Sequence, residues 1–188
     1  MLDSLIRAPF GNSLLLCSGY VQEDTGGRFK ILYDLLPVIK TGCAGGTITT
    51  VAGKLDVTWE PRYRNFVARL QSAGLTVRPY CAPKKNWHAK IALRLDGDQP
   101  VAGIVGSSNL TRPAYDAPYD WWNFEGDILI WPPSPEFTDY FRSPDFVGHA
   151  SIGVIDTILD PDVEQPSEKD QLSAIYRDIM SSELEPFK

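Results

Sequence analysis

Cysteine and histidine are scarce in this chain of 188 residues, which has three cysteines and two histidines. The cysteines, Cys17, Cys43 and Cys81, are odd in number, and none belongs to a CxxC pair. This pattern argues against a disulfide framework or a zinc site and is typical of proteins in a reducing cytosol. We therefore expect three small, buried hydrophobic thiols and no metal or other cofactor.

Long apolar runs and an excess of basic residues are also missing. No stretch approaches the length of a membrane helix, and the short run at residues 14–16 lacks a basic leader, so we expect a cytoplasmic protein. The net charge is −6, whereas proteins that bind DNA without sequence preference usually present a basic face. However, the acidic residues concentrate at 156–185, and residues 62–94 are rich in Lys and Arg, which is compatible with a locally basic cleft.

The first half of the chain alternates between strand and helix patterns. Apolar or β-branched runs at residues 13–20, 45–51 and 75–81 predict strands. Helical spacing predicts a helix near residues 29–36, interrupted by Pro37, and another at 61–73. We interpret residues 1–12 as an irregular lead-in because Pro9 and Gly11 break regular structure. The β-α-β-α-β order predicts a parallel sheet with crossover helices.

The last third of the chain predicts one more strand and two helices. The strand covers residues 127–131, and a short helix covers 135–142, starting near Ser134. After a linker at 161–166, residues 167–183 form an amphipathic helix, which we expect to pack on the body rather than on a partner. We divide the chain into a catalytic domain at 1–155 and a linker and C-terminal helix at 156–188. There is no internal repeat.

The central stretch, residues 87–131, holds the candidate chemistry. His88 and Lys90 stand one residue apart at the start of an alternating strand, and a turn at residues 96–100 leads to a second apolar strand. That strand ends at Gly106, which is followed by Ser107 and Asn109. Because side chains two apart share a strand face, pairing of these strands would bring together an imidazole, an ammonium, a hydroxyl and a carboxamide. This set suits an anionic tetrahedral substrate such as a phosphoester.

Each part of this pattern has an ordinary explanation when taken alone. A His-x-Lys sequence occurs by chance on many strands, and Gly-Ser-Ser-Asn is a good turn. The ordered combination at the ends of apolar strands is much more specific. Imidazole titrates near neutral pH and can act as a nucleophile or as an acid and base, while an ammonium and an amide can hold phosphoryl oxygens as charge builds on them.

Three groups of residues together resemble the HKD motif of the phospholipase D superfamily: His88-Ala89-Lys90, the run Gly106-Ser107-Ser108-Asn109-Leu110-Thr111, and Asn123-Phe124-Glu125. They are most similar to the single-motif bacterial phosphodiesterases and nucleases, including the catalytic part of metal-independent restriction endonucleases. The resemblance implies a mixed, largely parallel α/β sheet flanked by helices over residues 10–145. The sequence departs from the pattern where Leu95 replaces an aspartate and where residues 113–122 lengthen the approach to the glutamate.

The resemblance also implies roles for the motif residues. A single motif per chain implies a homodimer, in which one His88 attacks phosphorus and the partner's His88 protonates the leaving oxygen. Lys90 and Asn109 would hold the phosphoryl oxygens. Glu125 would orient the imidazole, and Ser107 would support the loop.

Further residues are candidates for substrate contacts. Ser18 ends the first strand, where ligands often lie in open α/β sheets. Lys84 and Lys85 could attract a polyanion, although solvated loop charge is the preferred interpretation. Arg112 stands among aromatic residues at 115–122 that could stack nucleobases, although packing in the core or in a subunit interface is preferred. The other histidine, His149, has no companion motif and is interpreted as a surface or packing residue.

We expect the substrate to be nucleic acid, most simply DNA. Two alternatives stay open at this point. One is a phospholipid or a small nucleotide as the phosphodiester substrate, which the acidic net charge slightly favours. The other is an HKD-like binding module without catalytic activity.

Overall fold

The computed structural model describes residues 1–24, 29–83, 88, 90–115, 125–143 and 166–188. The strands within these residues are β1 (Ser13–Ser18), β2 (Thr47–Ala52), β3 (Thr76–Cys81), β4 (Ile91–Asp96), β5 (Gln99–Gly106), β6 (Asp127–Ile130) and β7 (Glu185–Pro186). The helices are α1 (Leu2–Arg7), α2 (Leu32–Gly42), α3 (Glu60–Ser72), α4 (Arg112–Tyr115), α5 (Pro135–Phe141) and α6 (Glu168–Met180).

The strands form one mixed sheet in the order β6-β5-β4-β1-β2-β3-β7. Strands β1, β2 and β3 are parallel and are connected through α2 and α3, as the β-α-β-α-β pattern predicts. Strands β4, β5 and β6 extend the sheet beside β1 in antiparallel pairs, and β7 adds an antiparallel strand beside β3. The predicted α/β class with a mixed sheet flanked by helices is confirmed, and the parallel pairing that we expected is found at the central strands β1, β2 and β3.

Both faces of the sheet are covered. Leu14 and Leu16 of β1 belong to a core with α1, α2, α3 and α5, whereas Leu15 and Cys17 belong to a second core with α6. Since alternate side chains of a strand point to opposite faces, β1 must be apolar on both sides. This explains why it is a continuous apolar run in the sequence.

The expected irregular lead-in is wrong for residues 2–7, which form α1. Leu5 and Ile6 are fully buried against the sheet. So short a helix is marginal in isolation, and packing of its apolar side chains stabilises it here.

The prediction that Pro37 interrupts the second helix is wrong. The helix α2 continues through Pro37 to Gly42. The proline removes one backbone donor from the helix. Leu35, Val38 and Ile39 are buried on one side, so packing on the sheet offsets the missing bond.

The C-terminal helix packs on the body of the protein, as we preferred. Ser167 caps α6 by accepting a hydrogen bond from the Asp170 N–H at 3.2 Å. Leu172 and Ile179 are buried in the core on that face of the sheet. The division into two domains stays a prediction, and the proposed linker lies outside the described residues except for Pro166.

The helix α5 starts after Ser134, as predicted, and Ser134 caps it by accepting a hydrogen bond from the Phe137 N–H at 3.4 Å. Cys17, Cys43 and Cys81 are all free and buried, which confirms the prediction of buried thiols. Burial raises the pKa of the Cys17 thiol well above its ordinary value. In the part of the chain that the structure describes, no helix is both long and apolar enough to cross a bilayer.

Candidate active site

The predicted motif residues come together at one edge of the sheet. Ser18 ends β1, Lys90 precedes β4, Ser107 follows β5 and Glu125 precedes β6. Because β4 and β6 run opposite to β1 and β5, their starts lie beside the ends of β1 and β5. The register shows this directly at three neighbouring pairs: Cys17↔Ile91, Ile91↔Val105 and Gly106↔Asp127.

His88 and Lys90 lie side by side. Lys90 Nζ is 3.5 Å from His88 Nδ1, at the outer limit of a hydrogen bond. The Lys90 carbonyl accepts a hydrogen bond from the Gly106 N–H at 3.0 Å, which ties this segment to the end of β5. His88 is exposed, so its imidazole is open to a substrate.

Ser107 connects the end of β5 with the residues that precede β6. Its hydroxyl donates to Glu125 Oε2 at 2.6 Å and accepts from the Gly126 N–H at 3.0 Å. Its backbone N–H donates to the Gly126 carbonyl at 3.1 Å. These contacts hold the Glu125 carboxylate at the site, while its predicted hydrogen bond to His88 stays a prediction.

The Asn109 side chain has a defined orientation. Its Oδ1 accepts from the Tyr20 N–H at 3.1 Å and lies 3.4 Å from Ser18 Oγ. Because a backbone N–H can only donate, Oδ1 must face Tyr20, which turns the Nδ2 donor away. Among the described residues Nδ2 donates to none, so the amide can offer its two N–H groups to an anionic oxygen.

Ser18 holds the loop after β5 in place through hydrogen bonds. It is buried, its hydroxyl donates to the Tyr20 carbonyl at 2.5 Å, and it accepts from the Leu110 N–H at 3.1 Å. These bonds hold Asn109 and the end of β1 together. Direct contact between Ser18 and a substrate stays a prediction.

Asp127 is a site residue that the sequence interpretation missed. Its Oδ2 accepts from Ser108 Oγ at 2.5 Å, and its Oδ1 accepts from the Ser108 N–H at 3.2 Å. A Cβ atom on Gly106 would collide with Asp127, so the close approach of β5 and β6 requires glycine there. The two-residue spacing of Glu125 and Asp127 could have predicted that their side chains share one face. Their hydrogen bonds to Ser107 and Ser108 could not be predicted, because they depend on the register between β5 and β6.

The remaining predicted contacts are less defined. The Arg112 backbone N–H donates to Gln22 Oε1 at 2.9 Å, and the side chain is partly buried. Lys84 and Lys85, the aromatic residues at 119–122, Asn123 and Phe124, and His149 lie outside the described residues. Within the described residues, no group of three or more His, Cys, Asp or Glu side chains could hold a metal ion.

No family model and no curated protein matches the chain. The solved structures that are similar to it in part include the following three. NucT from Helicobacter pylori has 14% identity and a TM-score of 0.39, with 68% of this chain and 74% of NucT covered. Polyphosphate kinase from Porphyromonas gingivalis has 15% identity and a TM-score of 0.44, with 68% of this chain and 20% of the kinase covered.

The third structure is phosphatidylserine synthase from Haemophilus influenzae Rd KW20, with 13% identity and a TM-score of 0.45, where 96% of this chain and 42% of the synthase are covered. With identities of 15% or less and TM-scores below 0.5, these likenesses carry no argument about function. The functional assignment depends on the site residues.

Proposed function

We propose that the protein is a metal-independent phosphodiesterase that cleaves nucleic acid through a phosphohistidine intermediate, at a site shared by a homodimer. The observation that carries the proposal is the arrangement at one edge of the sheet. An exposed imidazole stands beside an ammonium at His88 and Lys90, and the Asn109 amide at the same edge has its donor group turned away from the loop.

The first step exchanges one phosphorus–oxygen bond for a phosphorus–nitrogen bond. A ring nitrogen of one His88 attacks phosphorus, and the partner's His88 gives a proton to the leaving oxygen. In the second step the partner's imidazole takes a proton from water, which attacks phosphorus and releases the first histidine. Division into two steps is nucleophilic catalysis, and positioned proton transfer typically contributes about 10²–10⁴-fold.

Lys90 and Asn109 stabilise the charge that builds on the non-bridging oxygens. The ammonium supplies a positive charge, and the amide supplies donors whose direction is set before substrate arrives. Glu125, held by Ser107, accepts a hydrogen bond from the His88 ring nitrogen that does not attack. This bond fixes the tautomer and stabilises the positive charge that develops on the ring as the phosphorus–nitrogen bond forms.

A polymeric substrate is compatible with the exposure of the site. His88 and Ser107 are exposed at the sheet edge, so a phosphodiester within a continuous strand can approach without threading into a cavity. The recognition of nucleic acid, the pairing of two chains and the phosphohistidine are all parts of the proposal that experiment must test.

The deciding experiment measures cleavage in excess EDTA. Purified protein is incubated with labelled single-stranded DNA, double-stranded DNA and a generic aryl phosphodiester, beside the His88→Ala variant. We expect cleavage to survive the chelator and to fall by about 10³-fold or more in His88→Ala, because the nucleophile is gone. The matched control is His149→Ala, which removes the other histidine and should retain activity.

The outcomes separate the parts of the proposal. Wild-type activity in His88→Ala would refute the assignment of the nucleophile, and loss of activity on chelation would refute metal independence. Cleavage of the aryl diester without cleavage of either DNA would transfer the assignment to a smaller phosphodiester. No cleavage of any substrate would favour a binding module.

A further inference from the structure

An aromatic and basic surface flanks the candidate active site. It consists of Tyr20 after β1, Lys54 after β2, and Trp59 and Arg62 at the start of α3, and we call it the Tyr20–Trp59 surface. The Tyr20 and Trp59 ring centroids are 4.7 Å apart with a 50° angle between the planes. The Arg62 guanidinium lies 4.6 Å from the Trp59 ring centroid, and Lys54 Nζ lies 5.8 Å from that of Tyr20.

Backbone hydrogen bonds connect this surface to the candidate active site. The Tyr20 N–H donates to Asn109 Oδ1 and so orients the amide that we propose to bind the phosphate. The Tyr20 ring is the side chain of this same residue. The Lys54 N–H donates to the Gly19 carbonyl at 3.0 Å, which fixes the loop after β2 against the end of β1. Tyr20 and Trp59 are both partly exposed. The backbone of Tyr20 thus places this surface directly beside Asn109.

The charges of the surface are balanced by nearby carboxylates. Arg62 pairs with Asp24 at 2.7 Å, and Lys54 lies 4.0 Å from Asp56. Two cations and two carboxylates leave these groups formally neutral, so attraction to backbone phosphates is weak here. The remaining binding capacity is that of aromatic rings and a guanidinium plane, which stack on the faces of flat ligands.

We infer that the Tyr20–Trp59 surface stacks unpaired nucleobases next to the scissile phosphate, so that the site prefers single-stranded nucleic acid. The inference rests on the proposed function and specifies its substrate class. Bases in a duplex have their faces covered by their neighbours, whereas a single strand can turn a base onto an aromatic ring. Loss of one such stack typically weakens binding by about 5- to 150-fold.

The test measures binding in a His88→Ala background, which keeps a bound strand intact. The fluorescence anisotropy of a labelled single-stranded oligonucleotide, and of an abasic counterpart of equal length, reports affinity for three proteins. These are the parent, the parent with Trp59→Ala and the parent with Trp59→Phe. The control adds Tyr33→Ala, which removes an aromatic ring that is 76% exposed on α2.

We expect Trp59→Ala to weaken binding of the base-containing strand about 5-fold or more, and Trp59→Phe to restore most of it. The parent should prefer the base-containing strand to the abasic one, and Trp59→Ala should lose that preference. The ratio of affinities between parent and Trp59→Ala should stay nearly constant from low to high salt, because stacking releases few counterions. Tyr33→Ala should bind like the parent.

Equal loss of affinity for the abasic strand, or no loss for either, would overturn the inference. So would Trp59-dependent binding of anionic phospholipid vesicles together with unchanged oligonucleotide binding, which would assign the surface to lipid. If Trp59→Ala does not fold, as judged by circular dichroism, an equal affinity of the parent for both strands would still be decisive against stacking. No step of this test measures cleavage. A wild-type protein that binds through Trp59 but cleaves nothing would therefore overturn the proposed function and leave the stacking inference intact.

Discussion

At the scale of the single residue, the Tyr63 hydroxyl joins three elements at one buried atom. Tyr63 lies on α3 and is 1% exposed. Its oxygen is 2.7 Å from Thr50 Oγ1 and donates toward the carbonyls of Thr50 at 3.1 Å and Tyr80 at 2.9 Å. Burial, the largest effect, raises the pKa of the Tyr63 phenol well above its ordinary value. The hydroxyl therefore holds α3 against β2 and β3 only in its neutral form.

We expect Tyr63→Phe to lower the free energy of unfolding by about 1–3 kcal/mol near pH 7.5, because buried acceptors lose their donor. The difference in the free energy of unfolding between wild type and Tyr63→Phe should be smaller by about 0.8 kcal/mol near pH 10.5. Above about pH 10 the unfolded phenol ionises while the buried one stays neutral, which destabilises wild type but not the variant. Urea titrations at both pH values measure this difference.

Other tyrosines with raised pKa values, such as Tyr140 and Tyr176, are present in both proteins and cancel in the comparison. A difference that stays constant or widens as the pH rises would contradict a neutral, buried Tyr63 phenol.

At the scale of the element, the pairing of β5 with β6 assembles half of the candidate site. It places Ser107 against Glu125 and Ser108 against Asp127. Gly106 allows this pairing, since an added Cβ would lie 2.6 Å from the Gly126 carbonyl oxygen and would collide with Asp127. The atoms in the way are largely backbone, so a side chain at this position must separate the strands.

We expect Gly106→Ala to lower the cleavage rate of the aryl phosphodiester by about 10-fold or more, because displacement of about 1 Å at a site can cost about 10²-fold. The matched control is Gly126→Ala. A Cβ on Gly126 meets no atom within 4 Å, and its backbone φ is not in the left-handed region. This control should retain cleavage within about twofold of wild type. Equal rates for the two variants would show that the close approach of β5 and β6 does not matter for activity.

The helices and strands differ in how far local sequence could predict them. The strands β1, β2 and β3 and the helix α3 were predicted to within a few residues, because their apolar periodicity is strong and each is bounded by breakers. The helix α1 was missed because six residues between a terminus and a proline carry little local signal. The continuation of α2 through Pro37 was missed for a related reason, since burial against the sheet outweighs a local breaker.

At the scale of the whole molecule, the proposed mechanism needs two copies of His88, and each chain carries one HKD-like motif. A shared site makes each dimer active only when both copies are intact. Independent sites would instead leave half of the activity in a mixed dimer.

We therefore expect an equimolar mixture of wild-type and His88→Ala chains, refolded together to randomise pairing, to have about a quarter of the activity of the same total amount of wild type. A mixture prepared without refolding serves as the control for subunit exchange. Activity near one half after refolding, or full activity in a protein that sedimentation shows to be monomeric at the assay concentration, would contradict the shared site.

The sequence by itself determined the motif residues, the main strands and the α/β class. His88, Lys90 and Asn109 stand out because they occur in order beside two apolar strands, although in the structure each lies just outside β4 or β5. Only the tertiary structure decided that β4 pairs with β1 in antiparallel orientation and that Tyr20 orients Asn109 across 89 positions of sequence. It also decided that Asp127 holds Ser108. Such contacts depend on the register between strands and on burial of the whole core, which no local pattern encodes.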